Sequence, residues 1–188
     1  MYRLYGKRLF DVVWATCSLV VLSPLLIIVV CLILLYDPGP VLFSHKRVGR
    51  NGFLFRFYKF RSMPVDTPKV PSDCLGDVQL TFIGKFIRRT NIDELPQLFN
   101  ILKGDMSIVG PRPPLPDQVE LISLRRKNGS LDLRPGLTGL AQIRSFSGMN
   151  YSQKAFFDGQ YANSYGLMLD LRIIIETVAY LFKPPPVY

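Results

Sequence analysis

RRTNIDELPQLFNILKGDMSIVGPRP, Arg88 to Pro113, places two adjacent carboxylates, Asp93 and Glu94, between a basic pair and an arginine held among prolines. Thr90 and Asp93 form the hydroxyl-x-x-acid signature of a helix start. The carboxylates are therefore expected in the first turn of an α-helix running to about Lys103, with Gly104 as its stop. Pro96 is compatible with that turn, whose amides lack intrahelical partners. Acidic residues there complement the positive end of the helix dipole and need no further role. Two features exceed a cap. Arg88 and Arg89 lie one turn upstream, and Gly110-Pro111-Arg112-Pro113 presents, on a rigid loop, the group that pairs bidentately with phosphate.

Working outward, Leu80 to Arg89 reads as a short amphipathic helix, with Phe82, Ile83, Phe86 and Ile87 inward and Lys85, Arg88 and Arg89 outward. In the following helix Leu95, Leu98, Phe99 and Leu102 supply the buried stripe. Upstream, Val41 to Val48 and Phe53 to Phe60 flank Gly49-Arg50-Asn51-Gly52, a hairpin signal. FLFRFYKF interleaves aromatics with Arg56 and Lys59. The pattern serves a half-buried or interfacial strand, and equally the stacking of bases beside phosphates. Pro64 to Gly76 has no periodicity and is expected as an exposed loop.

Val12 to Tyr36 carries no charged side chain and is long enough to cross a hydrocarbon core of about 30 Å. It is too long for the apolar core of a cleaved signal peptide, and no small-x-small site follows it. Ser23-Pro24 divides it, and a sharp kink is expected there because proline removes an amide donor. Each half then reaches roughly 17 Å, about midway through a bilayer. Arg3, Lys7 and Arg8 precede the segment, and Lys46, Arg47 and Arg50 follow it. The positive-inside rule places both flanks on the cytoplasmic side. From the residues alone, a re-entrant helix-break-helix and a kinked spanning helix both remain open.

A net charge of +9 and an isoelectric point near 9.6 favour an anionic partner: nucleic acid, an anionic membrane or a phosphorylated substrate. Cys17, Cys31 and Cys74 form neither a disulfide framework nor a zinc spacing. His45 is the only histidine, which excludes a metal site built on several imidazoles and leaves carboxylates to carry any catalysis.

Beyond the central stretch, Pro116 to Lys127 reads as a helix with Val119, Ile122 and Leu124 apolar and Arg125, Arg126 and Lys127 at its end, suited to dipole complementation or to attracting a phosphate. Arg134, ahead of Pro135-Gly136, is placed to reach a phosphate or to form a surface ion pair. Tyr151 to Tyr165 and Leu167 to Phe182 are two further helices. The second carries Asp170, Arg172 and Glu176, too many charges for a span. Lys183 to Tyr188, with three consecutive prolines, cannot continue it.

DELPQLFNILKGDMSIVGPRP (93–113), preceded by YKFRSM (58–63) and followed by RPGLTGLAQ (134–142), resembles the bacterial sugar transferases, the monotopic phosphoglycosyl transferases. The resemblance extends to KRLFD (7–11), to the Ser-Pro within the apolar run and to FDGQYANSYGLMLDL (157–171), and so covers nearly the whole chain. It implies an α+β, mainly helical monotopic membrane protein, with a re-entrant helix over 1–36 and a catalytic domain with interfacial helices over 37–188. It also implies a bacterial inner membrane location, with the catalytic domain on the cytoplasmic face.

The implied reaction moves a sugar 1-phosphate from a nucleotide diphosphate sugar, usually a UDP-sugar, to polyprenol phosphate, leaving UMP. Asp93 would be the nucleophile and a contact of Mg²⁺, and Glu94 a metal-shell or proton-handling group. Lys59, Arg88, Arg112, Arg134, Gln142 and Asp158 would bind substrate, and Ser23 and Pro24 would make the membrane break. Membrane lipid is an implied partner, nucleic acid is not, and a homodimer is left open. RSFSGMN (144–150) departs from the more usual Gly-Arg-containing stretch, so the sugar is not named. The competing expectation is a membrane-anchored basic binding module for nucleic acid or acidic lipid, without catalysis.

Overall fold

The long apolar run forms one helix, α1, from Lys7 to Tyr36, in a computed structural model that describes residues 2–65, 67, 80–144 and 148–181. The expected sharp break at Ser23-Pro24 does not interrupt it. Pro24 cannot donate to the carbonyl of Val20, but the Ser23 hydroxyl does so instead, at 2.8 Å. One side chain thus replaces the missing amide, and the helical backbone continues.

Both ends of α1 pack on the rest of the chain. Near its start Ala15 joins a core of Phe57, Leu98, Ile101 and Met106. Towards its end Val29 and Ile33 pack with Phe60, Ile83 and Ile87. Arg8 donates to the carbonyls of Ile101 (2.5 Å) and Leu102 (2.8 Å), and at the far end Arg61 holds the main-chain oxygen and carboxylate of Asp37. Between these anchorages Val20, Val21, Ile27 and Ile28 are exposed. A contiguous apolar surface of this kind calls for a lipid or protein cover.

The expected hairpin is present. Strands β1 (Leu42–Val48) and β2 (Leu54–Phe60) run antiparallel, with Leu42 opposite Phe60 and Val48 opposite Leu54. Phe57 and Phe60 face the core, which places the aromatics in packing rather than in a base-stacking row. Helix α2 (Phe82–Arg89) is capped by Thr81, which accepts from Gly84 N at 2.9 Å. Helix α3 (Gln97–Lys103) ends as expected at Gly104, whose φ of +92° suits a residue without Cβ.

The buried stripes are narrower than the periodicity suggested. In α2 only the Ile83/Ile87 side is covered, and Phe82 and Phe86 point outward, as does Phe99 of α3. Helices this short bury one row of side chains against a core, and the adjacent row stays outside.

A second sheet was not foreseen. Strand β3 (Ser107–Val109) pairs in parallel with β4 (Gly136–Thr138), each only three residues long. Here the glycines of RPGLTG serve close backbone approach. A Cβ at Gly136 would lie 2.1 Å from the nitrogen of Gly110, and one at Gly139 would lie 2.1 Å from its carbonyl oxygen.

Helix α4 (Val119–Lys127) starts three residues later than expected and buries Leu121 and Arg125, leaving Val119 exposed. After α5 (Leu140–Arg144) come α6 (Tyr151–Ser164), with a capping box between Asn150 and Gln153, and α7 (Leu167–Leu181). Most of the 64–76 loop with Cys74, the centre of RSFSGMN and the C-terminal tail lie outside the described residues.

Candidate active site

The expected α-helical first turn is absent at the dyad, because Thr90 closes α2 instead of opening α3. Its hydroxyl turns back to donate to Phe86 O at 2.8 Å, and Asn91 then adopts φ +55°, the left-handed conformation asparagine tolerates best after glycine. Ile92 to Glu94 form a single 3₁₀ turn, and Pro96 stands at the N-cap of α3. Asp93 and Glu94 thus occupy a tight corner between two helices. The site therefore depends on side-chain cations more than on helix-start amides.

Those cations come from β2 and from the loop after β3. Lys59 Nζ lies 2.7 Å from Glu94 Oε1 and 3.3 Å from Asp93 Oδ2. Arg112 forks onto Glu94, with Nη2 to Oε1 at 2.6 Å and Nη1 to Oε2 at 3.4 Å. The neighbouring carboxylates are consequently unlike. Burial pushes Glu94 up, but Arg112 and Lys59 outweigh it and hold the group far below the usual carboxylate range. Asp93, only 5% exposed, is raised above its ordinary value: burial and the Glu94 charge outweigh the pull of Lys59.

Arg112 rests on a chain of buried contacts. Arg125 donates to Arg112 O at 2.7 Å, and its Nε and Nη2 meet the Asp158 carboxylate at 2.8 and 2.6 Å. From the hairpin, Arg47 donates to Pro113 O at 3.1 Å and to His45 Nε2 at 2.6 Å. Burial, with Arg47, Lys59 and Arg112 nearby, lowers His45 to a pKa of about 4, so it is a neutral acceptor near neutral pH. The sequence marks Arg47 only as a membrane-flanking cation and Arg125 only as a helix-end cation, not as supports of the Arg112 loop. The register of β1 against β2 and the packing of α4 on α6 bring them to the loop, and neither is encoded in local spacing.

Of the expected substrate-binding residues, the structure brings Lys59 and Arg112 to the dyad. Arg88 is close enough for its charge to act on Asp93, although its Nε donates to Ser62 Oγ at 2.9 Å. Gln142 donates to Leu137 O at 3.0 Å, and its buried Oε1 has no hydrogen-bond partner among the described residues. Asp158 is sealed in its pair with Arg125 at 1% exposure, which makes it a support for Arg112 rather than a surface for ligand. Arg134 donates to Gly104 O at 2.9 Å, capping the opposite end of α3 from the dyad.

A cavity of about 590 Å³ opens beside Glu94, Arg112, Thr90 and Gln142. Asp93 itself does not line it, whereas its neighbour Glu94 does. No group of three or more His, Cys, Asp or Glu side chains gathers into a metal cage among the described residues. Mg²⁺ takes few protein ligands and fills its shell from substrate phosphates and water, so one carboxylate of the dyad would suffice to hold it. Glu94 already has both oxygens on Arg112, so Asp93 is the better-fitting ligand.

The sequence profile described as bacterial sugar transferase matches residues 2–184. The chain belongs to that family. It is 42% identical over 190 residues to a galactosyl transferase, CpsE, of Streptococcus agalactiae serotype III, aligning 94% of this chain with 42% of that protein. To the undecaprenyl-phosphate galactose phosphotransferase of Salmonella typhimurium it is 36% identical over 203 residues, covering 97% of this chain and 41% of the relative. With the UDP-glucose:undecaprenyl-phosphate glucose-1-phosphate transferase of Caulobacter vibrioides it shares 38% identity over 191 residues, 97% of this chain and 72% of the relative. The chain thus spans about two-fifths of the length of the first two relatives.

Proposed function

We propose that this sugar transferase moves a sugar 1-phosphate from a UDP-sugar to a polyprenol phosphate at a membrane surface, through a covalent intermediate on Asp93. The observation that carries this reading is the Asp93–Glu94 corner, held between Lys59 and Arg112, with Glu94 and Arg112 lining a cavity that the apolar helix α1 also lines. The names of the relatives support the substrate classes.

In the resting arrangement Lys59 and Arg112 are paired with carboxylates. A donor diphosphate offers them more charge, so Lys59 turns to the phosphates and uncovers Asp93. An Asp93 oxygen then attacks the β-phosphorus. The new O–P bond forms as the bond to the α–β bridging oxygen breaks, and UMP leaves with that electron pair. In the second step an oxygen of polyprenol phosphate attacks the same phosphorus and the Asp93 carboxylate departs, restoring the enzyme and giving polyprenol diphosphate sugar. Neither step consumes a proton overall.

Asp93 would hold Mg²⁺ together with donor phosphate oxygens, and the ion would supply neutralisation of the charge that gathers on departing UMP. Arg112 keeps the phosphoryl oxygens in place. Glu94 holds Arg112 and Lys59 in position. Gln142 lines the cavity with an acceptor oxygen that has no partner among the described residues, suited to a substrate hydroxyl.

The same reading places α1 as a re-entrant element with both flanks on the cytoplasmic face of the bacterial inner membrane. A straight 30-residue helix is about 45 Å long, enough to put its flanks on opposite sides of a bilayer. Instead Arg8 and Asp37, beyond either end of the apolar run, are both bound by the same domain. Exposed Phe82, Phe86 and Phe99 suit helices lying at the headgroup level.

The test is UMP release by the detergent-solubilised protein with Mg²⁺, a panel of UDP-sugars and undecaprenyl phosphate. Release with at least one sugar, and a phosphosugar adduct on Asp93 by mass spectrometry, are the expected results. No UMP from any sugar would favour a binding module without catalysis. Single cysteines near residues 4 and 45, in a background without the native three, should be labelled from the same side. Labelling from opposite sides would establish a spanning helix.

A further inference from the structure

The cavity beside the dyad is lined by groups of two kinds. Glu94 and Arg112 bring charge to it. Trp14, Ser18 and Leu22, spaced by four and therefore on one side of α1, also line it. So do Ile174, Thr177 and Val178, one side of α7 at spacings of three and four. Thr177 shares a 2.6 Å hydroxyl contact with Thr138 of β4, which fixes this wall to the sheet that leads into the Arg112 loop.

We propose that the groove between α1 and α7 holds the isoprene units nearest the head of the polyprenol phosphate acceptor. The inference rests on the reaction proposed above and adds where, and by which residues, the lipid substrate is received. Charge complementarity and continuity both favour this occupant. The ligand must have an anionic phosphate at one end, to meet Arg112, and an apolar chain at the other. The groove offers both the cation and the apolar lining, and it is walled by the same helix that exposes Val20, Val21 and Ile27. About 590 Å³ lies within the ~300–1,000 Å³ of small-ligand sites, so the groove takes the head and the first units while the remaining chain stays in lipid. A soluble UDP-sugar has no long apolar segment to fill the α1–α7 end.

A ping-pong reaction lets the two substrates be read separately. Val178→Trp and Leu22→Trp narrow the groove from opposite walls, and each is compared with wild type in the full chain in detergent. Both are expected to raise the KM for undecaprenyl phosphate about tenfold, the scale on which an apolar pocket senses a few methylene groups. Single-turnover UMP release from a UDP-sugar without acceptor is expected at the wild-type rate, which also reports an intact donor site. An unchanged acceptor KM in both variants overturns the groove as the acceptor site and leaves a bulk phospholipid tail as its occupant. Loss of acceptor-free UMP release in both variants also overturns it, assigning the cavity to the donor. A wild-type protein that releases no UMP from any UDP-sugar instead defeats the underlying reaction.

Discussion

Two places in this molecule join two carboxylates to one lysine. At the dyad, Lys59 bridges Asp93 and Glu94 beside an open cavity. At the foot of α1, Lys7 lies 3.5 Å from Asp11 and 2.8 Å from Asp170, with both carboxylates fully buried. The second cluster binds only protein. Asp11 accepts from the Ser107 hydroxyl and from Ile108 N, and Asp170 accepts from the hydroxyls of Tyr2 and Tyr161. It ties the start of α1 to β3, α6 and α7, and its carboxylates are sealed from solvent. Similar side chains therefore serve opposite ends: where they are sealed inside the protein they hold the fold, and where one side is left to a cavity they are available for chemistry.

The sharpest way to break this contrast is to neutralise one carboxylate in each cluster. Asp93→Asn is expected to lower UMP release by up to about 10⁶-fold, the scale seen when a nucleophile is removed. Its Tm should not fall. Burial raises the Asp93 pKa, so ionised Asp93 costs the fold stability at neutral pH and the neutral amide removes that cost. Asp170→Ala should show the reverse. It leaves buried Lys7 and two tyrosine hydroxyls short of a partner and should cost about 3–5 kcal/mol by thermal unfolding. Activity per folded molecule should be largely retained.

Within the dyad, Arg112→Lys keeps the charge but loses the fork, and should lower kcat/KM for UMP release roughly a hundredfold. The pH profile gives a finer measure. The rate should fall as pH drops through the Asp93 pKa, at a pH above its ordinary 3.8. Glu94→Gln should move that acid limb to lower pH, because the Glu94 charge helps to raise Asp93. Glu94 itself is depressed, so the stability it contributes is present above its unfolded pKa and lost only in strong acid, as pH falls through its folded value. The smallest effect concerns the corner. Thr81→Ala removes a real N-cap and should cost about 1 kcal/mol by chemical denaturation, whereas Thr90→Ala should cost less, since Thr90 caps no helix start.

Much of this architecture follows from local rules. An uninterrupted apolar run of this length has to be helical wherever it lies, because only a helix satisfies its backbone internally. Alternating strands around Gly49-Arg50-Asn51-Gly52 have to turn back on one another, and Gly104 has to end α3. The adjacency of Asp93 and Glu94, and the arginine among prolines, were legible for the same reason: neighbours in sequence stay neighbours in space.

What local rules missed were contacts between remote segments. Thr90 reads equally well as an N-cap or as a hydroxyl turned back on the preceding helix. Packing of Ile83 and Ile87 against α1 settles it by fixing where α2 ends. Asp158 and Arg134 look alike as charged residues within family motifs, yet one is buried under Arg112 and the other caps the far end of α3. The sequence by itself determined the elements and the chemical character of the Arg88–Pro113 stretch, because propensity and charge are local. The tertiary structure alone decided which cations meet which carboxylate, and that the site opens toward α1, because those depend on strand register and helix packing across distances in sequence that no local pattern spans.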